Sequence, residues 1–353
     1  MKGTALKWLK SYLCDRRQSV NINDVTSEAR TLDCRVPQGS VLGPILFTIY
    51  TSALGSIIRR HLSGSGYHFY ADDCQLYISC QPSELNQALN TMEKCITEVK
   101  KWLCGHRLKL NDSKTEFMLI APKQVAQRLD LNSSTITIGS HVIQPKHVAR
   151  NLGVVFDAKL CLNDHVGKVC KSAYHQLHSI NRVKKCLDKK SLEIIMHSFI
   201  TTKLDYCNSI LCGSEVQLLT RLQRVQNAAA RVLTGTKKHE HITPILRSLH
   251  WLPVTQRIRF KVLTLVHKAL YDPCSPIYIR DLLSVHVPNR DLRSGSRKLL
   301  AVPSLPDALN CENRAFSIAG PKLWNTIPEP LRCEEDFNAF KSRLKTLLFN
   351  DAF

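Results

Sequence analysis

The stretch FYADDCQLY, residues 69–77, decides the fold of the N-terminal half, because two aspartates stand side by side between β-forming residues. The aromatic and apolar flanks predict two strands, and the polar pair predicts the tight turn that joins them. Adjacent like charges repel and interrupt the alternation of a half-buried strand, so their placement needs compensation. A divalent cation is the usual compensation. An ordinary surface turn is the plainer interpretation and stays open at this point.

The composition is that of a globular but strongly basic protein. The chain has 353 residues, of which 44% are hydrophobic and 22% charged, so it can form a sizeable core. Lys+Arg number 49 against 29 Asp+Glu, which gives a formal net charge of +20 and a pI near 9.5. This balance favours a polyanionic partner, most simply nucleic acid, although many basic proteins bind none.

The 14 cysteines are scattered singly between Cys14 and Cys333, and no CxxC pair occurs. This pattern, in a chain without a secretory signal at its first residues, favours a reducing compartment over a disulfide framework. Cys161, His165 and Cys170 have a metal-like spacing but lack a fourth partner for zinc. We therefore expect an intracellular protein, and the choice between nucleus and cytoplasm stays open.

No segment of the sequence is typical of a membrane span. The longest apolar run, residues 40–55, is interrupted by Pro44. Because a spanning helix needs about 20 apolar residues, this run is too short, and a membrane protein is disfavoured.

The periodicity of apolar residues predicts an α+β protein that becomes mostly helical towards its C-terminus. Hairpins are predicted over residues 18–34 and 66–79, a helix over 84–103, and strands over 114–121 and 135–143. A loop-rich stretch is predicted over 284–313. The predicted division is residues 1–157, a helical region over 158–214, and a helical, loop-rich, basic region over 215–353.

Residues 217–233, QLLTRLQRVQNAAARVL, carry the two faces of an amphipathic helix. Apolar residues recur at helical spacing on one face, and arginines stand on the other. The apolar stripe consists of Leu218, Leu222, Val225, Ala229 and Val232, and the arginines are Arg221, Arg224 and Arg231. This is either a core helix with a solvated basic face or a surface that follows a phosphate backbone.

Several motifs agree in order along the chain. VPQGSVLGP (36–44) and FYADDCQLY (69–77) are followed by WLCGHRLKLNDSKTEFMLI (102–120), VARNLGVVFDAKLCLNDHV (148–166) and LDYCNSIL (204–211). Together they resemble the C-terminal portion of reverse transcriptases of non-LTR (LINE-type) retrotransposons. The resemblance implies a partial right-hand polymerase palm of hairpins and helices, followed by a mostly helical thumb and C-terminal region.

The resemblance also implies roles for individual residues in nucleotidyl transfer. Asp72 and Asp73 match the second and third palm carboxylates, as ligands of Mg²⁺, with Asp72 the more direct ligand. Lys114 matches a palm lysine that assists the pyrophosphate leaving group, although a solvated lysine is the plainer interpretation.

Further matched residues lie along the substrates of the family. The expected partners are an RNA template, a DNA primer and deoxynucleotides. The residues expected at the template and nucleotide are Pro37, Gln38, Gly39 and Tyr70. The residues expected at the primer end are Leu152 and Gly153.

One part of the family pattern has no match. The first metal-binding aspartate of the family precedes the Pro-Gln-Gly turn, and Asp15, Asp24 and Asp33 are not in a matching context. A two-metal site needs carboxylates from two backbone segments that hold the ions about 4 Å apart. We therefore expect residues 1–353 alone to bind Mg²⁺ weakly and to be inactive. The alternatives are a non-catalytic nucleic-acid-binding protein and a decaying copy of an element, and the oligomeric state stays open.

Overall fold

Helices and short antiparallel hairpins make up the computed structural model, which describes residues 2–32, 36, 39–62, 66–127, 134–286, 298–303 and 314–353. The chain divides into two units. The first contains Met1–Thr115 and Asp130–Gln144, and the second contains Glu116–Leu129 and Pro145–Phe353. The fold class is α+β, as predicted, while the finer division at residues 157 and 214 stays a prediction.

The first unit combines helices with two-stranded antiparallel sheets. Its helices are α1 (Gly3–Leu13), α2 (Gly43–Thr51), α3 (Ala53–His61) and α4 (Leu85–Gly105). Its strands are β1 (Arg16–Gln18), β2 (Asn21–Ile22), β3 (Val25–Thr26), β4 (Arg30–Leu32), β5 (Gly66–Tyr70), β6 (Asp73–Tyr77), β7 (Ile136–Ile138) and β8 (His141–Ile143). The pairs are β1–β4, β2–β3, β5–β6 and β7–β8. The hairpin predicted over 66–79 is confirmed, and the one predicted over 18–34 is confirmed as far as Leu32, since residues 33–34 lie outside the described residues.

The core of the first unit lies between α3 and α4. Ile58 of α3 is buried, and so are Cys95 and Val99 of α4. Strand β7 packs against α4 and buries Ile138. Helix α4 confirms the helix predicted over 84–103, because residues spaced by three and four share one buried face.

The second unit is mostly helical, as predicted. Its strands are β9 (Val148–Asn151) and β10 (Val154–Asp157), which form one antiparallel hairpin. Its helices are α5 (Lys123–Ala126), α6 (Asn163–Val183), α7 (Lys189–Met196), α8 (Thr202–Asp205), α9 (Val216–Thr234), α10 (Thr243–Ser248), α11 (Val254–Tyr271), α12 (Ile277–Arg280), α13 (Phe316–Thr326), α14 (Glu329–Arg332) and α15 (Phe337–Asn350). Most of the loop-rich stretch predicted over 284–313 lies outside the described residues.

Two apolar clusters form the core of the second unit, and α11 contributes to both. The first cluster joins α6, α7 and α9 to Ile258 of α11. The second joins Val262 of α11 to Trp324 of α13 and Phe340 of α15. The stripe predicted on α9 is confirmed, because Leu218, Leu222, Val225 and Ala229 are buried and Val232 packs against the first cluster.

Two strand predictions are corrected by the structure. Residues 114–121 do not form a strand, and their described pairing is an isolated bridge between Phe117 and Pro145. Within this stretch, Thr115 Oγ donates to the Asn111 carbonyl at 3.1 Å, a local side-chain contact that competes with a ladder. Residues 135–143 form a hairpin instead of one strand, because the chain reverses at Gly139, whose φ is +64°.

Candidate functional site

The β5–β6 hairpin carries the two adjacent aspartates at its tip. Tyr70 pairs with Asp73, so Ala71 and Asp72 form the connecting loop. Ala71 has φ of +53°, and positive φ at the first loop position alone is the pattern of a type II′ turn. Such turns match the right-handed twist of the flanking strands, and this match offsets the cost of about 1–2 kcal/mol for alanine at positive φ.

Both carboxylates of this tip lie in solvent. Asp72 and Asp73 are exposed, and Tyr70 is exposed over 67% of its surface. Within the described part of the chain neither carboxylate accepts a hydrogen bond or forms an ion pair. The tip therefore offers oxygen ligands that no group of the described residues neutralises.

These ligands do not complete a metal site among the described residues. No group of three or more His, Cys, Asp or Glu side chains converges there in a way that could hold an ion. Asp15 and Asp24 occupy positive-φ positions near β1 and β3, whereas Asp33 lies outside the described residues. One hairpin alone does not fit a two-metal centre, because such a centre needs carboxylates that converge from separate segments.

The other residues expected near the template and nucleotide are only partly described. Pro37 and Gln38 lie outside the described residues. Gly39 lies in a turn with φ of +79°, a conformation that costs glycine little. Lys114 ends a 3-10 turn and is exposed, and no contact within the described part of the chain joins it to Asp72.

The Leu152–Gly153 turn of the β9–β10 hairpin is held by Tyr206. Leu152 and Gly153 both have positive φ, +45° and +84°, which is the pattern of a type I′ turn. The Tyr206 hydroxyl donates to the Leu152 carbonyl at 2.5 Å. A Cβ at Gly153 would stand 3.3 Å from the Tyr206 ring. The Tyr206 ring therefore covers this turn, and it can lie so close because Gly153 has no Cβ.

The three arginines of α9 have different environments. Arg221 and Arg224 are exposed and form no ion pair with the described residues. Arg231 is half-buried, and its guanidinium donates to the carbonyls of Glu240 at 3.0 Å and Lys237 at 3.4 Å. Two donors of Arg231 thus hold the chain that follows α9, which leaves it less free to contact a ligand than the other two.

Some residues of interest were missed at the sequence level. Tyr206 gives no periodic signal, because it lies in a bend after α8 and its partner is distant along the chain. Lys168 and Lys171 of α6 had a signal, since their spacing places them on one polar helical face.

No described helix combines the length and the apolar character that a membrane crossing requires.

Comparison with known proteins gives consistent matches. Residues 1–156 match the family model described as "Reverse transcriptase (RNA-dependent DNA polymerase)". The probable RNA-directed DNA polymerase from transposon BS of Drosophila melanogaster is 26% identical over 257 residues, which are 71% of this chain and 28% of that protein. The corresponding protein from transposon X-element is 26% identical over 260 residues, 71% of this chain and 27% of that protein.

A third relative extends this set to another species. The RNA-directed DNA polymerase from mobile element jockey of Drosophila funebris is 22% identical over 190 residues, 52% of this chain and 20% of that protein. No solved structure gives a significant match. The matched region thus spans less than a third of the length of each relative. These matches confirm the resemblance to the reverse transcriptases of LINE-type, non-LTR retrotransposons that the motifs of the chain predicted.

Proposed function

We propose that this chain forms part of an RNA-directed DNA polymerase, with a partial palm over residues 1–157, a thumb-like region over 158–214 and a C-terminal helical region over 215–353. The family reaction adds deoxynucleotides to a DNA primer on an RNA template. The hairpin that presents Asp72 and Asp73 supports this proposal, since it offers two unneutralised carboxylates to a divalent cation. Mg²⁺ is the proposed cation.

The remaining site residues have proposed places around the same reaction. Lys114 lies near the leaving group, and Leu152 and Gly153 lie near the primer end. Four residues contact the template and nucleotide: Pro37, Gln38, Gly39 and Tyr70. The order of the motifs supports these places, as do the tight turn at Leu152 and Gly153 and the exposure of Tyr70.

Residues 1–353 alone do not catalyse this reaction in our proposal. The observation that carries it is the lack of a third ligand beside Asp72 and Asp73 among the described residues. Mg²⁺ keeps its waters unless several ligands and substrate phosphates cooperate, so a single pair of adjacent carboxylates binds it weakly. An incompletely positioned substrate also loses the large rate contribution of orientation.

Primer extension on an RNA template tests this proposal. Purified wild type, Asp72→Ala and the control Asp24→Ala are compared in the presence of Mg²⁺, with an active reverse transcriptase as the positive control for template and primer. We expect no extension by any of the three chains. Extension by wild type and Asp24→Ala that Asp72→Ala abolishes would overturn the proposed inactivity. Extension that is equal in all three comes from a contaminant and leaves the proposal standing.

A second candidate function is nucleic-acid binding without chemistry. The formal net charge of +20 favours it, and so do the exposed Arg221 and Arg224. A filter-binding titration from low to high NaCl tests it, because each neutralised phosphate contributes about 0.7 to 0.9 to the log-log salt slope. We expect a steep slope. A flat slope or no binding would remove both candidate functions.

A further inference from the structure

A groove on the second unit is lined by cations from two helices. Its volume is about 590 Å³, and its polar lining comes from α6 and α9. The lining residues that matter here are Asn163, Asp164, Gly167, Lys168 and Lys171 of α6 and Arg221 of α9.

The packing of α6 on α9 creates this groove. Val166 and Cys170 of α6 are buried in the same apolar cluster as Leu222 and Val225 of α9, so the outer faces of the two helices lie side by side. Gly167 has no side chain, and one Nη of Arg221 lies 3.4 Å from the position that a Cβ would take. The guanidinium therefore lies close against α6, beside the lysines.

The charges of this groove are not balanced within the protein. Lys168, Lys171 and Arg221 are exposed, and none of them has an ion pair with the described residues. Asp164 is the one acidic residue among the lining side chains, so the cations outnumber it three to one. Like charges gathered in a groove raise the local concentration of an anionic ligand.

The same outer face continues one helical turn further. Arg224 follows Arg221 by three residues on α9, and Tyr174 follows Lys171 by three on α6. Burial raises the pKa of the Tyr174 phenol, and the positive charge of Arg224 opposes that rise. A cation beside a partly exposed aromatic ring is a common surface for a nucleic-acid strand.

We propose that this groove binds the phosphodiester backbone of a nucleic-acid strand, with phosphates on Lys168, Lys171 and Arg221. The inference rests on the nucleic-acid binding proposed above and assigns it to a particular site. It adds two lysines of α6 to the arginines of α9. It leaves out Arg231, whose donors bind backbone carbonyls.

The first test compares how binding depends on salt in two variants that have lost the same number of positive charges. The full chain is titrated with labelled single-stranded RNA and with an RNA–DNA duplex across a range of NaCl. The groove variant is Lys168→Ala, Lys171→Ala and Arg221→Ala. The control variant is Lys238→Ala, Arg247→Ala and Lys345→Ala, which removes the same charge from exposed residues outside the groove lining.

We expect the groove variant to lower the log-log slope by about two to three, because about 0.7 to 0.9 is lost per phosphate contact. The control should lower it by less than half as much. Equal slopes for the two variants would overturn the groove as the binding site. Absence of binding by wild type would instead refute the proposed nucleic-acid binding itself, so the two failures are distinguishable.

A variant that removes a negative charge distinguishes an effect on binding from damage to the fold. Asp164→Asn removes the repulsion between this carboxylate and a backbone phosphate, and we expect binding to tighten roughly two- to fivefold. A loss of stability would not tighten binding, and an unchanged or weaker affinity contradicts the proposal. In a last experiment, inorganic phosphate competes with the RNA at constant ionic strength. Displacement of the RNA at millimolar phosphate would indicate a small-anion site and overturn a backbone site.

Discussion

At the scale of single residues, Asp157 organises the chain between β10 and α6. Its carboxylate accepts hydrogen bonds from the backbone N–H groups of Lys159, Cys161 and Leu162 at 3.1, 3.0 and 2.6 Å. The Cys161 thiol donates to it at 3.1 Å. Burial raises the pKa of Asp157, but these hydrogen bonds outweigh burial and lower that pKa below its ordinary value.

Asp157→Asn should therefore lower the free energy of unfolding by about 1–3 kcal/mol at pH 7, because an amide nitrogen replaces an acceptor of N–H groups. Since the folded-state pKa is depressed, the stabilisation is complete above the unfolded-state pKa, which is about 3.9. It is lost as pH falls through the folded-state pKa, so the two proteins should converge in acid.

Urea unfolding followed by circular dichroism at several pH values measures this difference. The matched control is Asp281→Asn, which changes an exposed carboxylate and should shift stability by less than about 0.5 kcal/mol. A difference between wild type and Asp157→Asn that stays constant down to pH 2 would contradict the role given to the ionised carboxylate.

At the scale of elements, the β9–β10 hairpin depends on a residue without Cβ at its tip. Gly153→Ala should destabilise the hairpin by about 1–2 kcal/mol, the cost of a left-handed conformation for an L-residue. The Tyr206 ring leaves little room for the added methyl group. Hydrogen exchange across β9 and β10, together with urea unfolding, measures the effect.

Two further variants provide comparisons for Gly153→Ala. Gly105→Ala, at the end of α4, has φ outside the positive range and no described atom near the new Cβ, so it should be neutral or stabilising. Tyr206→Phe keeps the ring and removes the hydroxyl, so it should cost about 0.5–1.5 kcal/mol. Faster exchange in Gly105→Ala than in Gly153→Ala would refute the assignment.

At the scale of the whole molecule, the shared helix α11 predicts cooperative unfolding of the second unit. Trp251 belongs to the first apolar cluster and Trp324 to the second, and both are buried. Because α11 contributes to both clusters, neither can lose its packing without exposing apolar surface of the other. We expect tryptophan fluorescence and far-UV circular dichroism to report one coincident urea transition.

The same melt addresses the alternative of a decaying copy of an element. A chain that had lost its folding information would give a broad change without a midpoint. Two separated transitions would instead contradict the coupling through α11. The chain has a formal net charge of +20, so aggregation could depend on salt. Melts recorded at equal protein concentration in low salt and in high salt control for this aggregation.

The predictions made from sequence held where a local pattern determines the result. The β-forming residues on both sides of the aspartate pair identified the β5–β6 hairpin, although its loop is Ala71–Asp72 and Asp73 begins β6. Periodicity identified the buried stripe of α9. The strand expected over 114–121 failed because a strand needs a partner along its length, and propensity does not supply one. The places proposed for Asp72, Asp73 and Lys114 stay predictions, since they depend on ligands that the chain meets in three dimensions.

The sequence by itself determined the resemblance to LINE-type reverse transcriptases, the α+β class, the basic character and the position of the carboxylate hairpin, because each depends only on composition or on contiguous motifs. The tertiary structure decided which cations stand together: Lys168 and Lys171 lie beside Arg221, while Arg231 binds carbonyl groups. It also decided that Tyr206 covers the Leu152–Gly153 turn. These contacts join residues far apart along the chain, and only the packing of helix on helix and hairpin brings them within a few ångströms of one another.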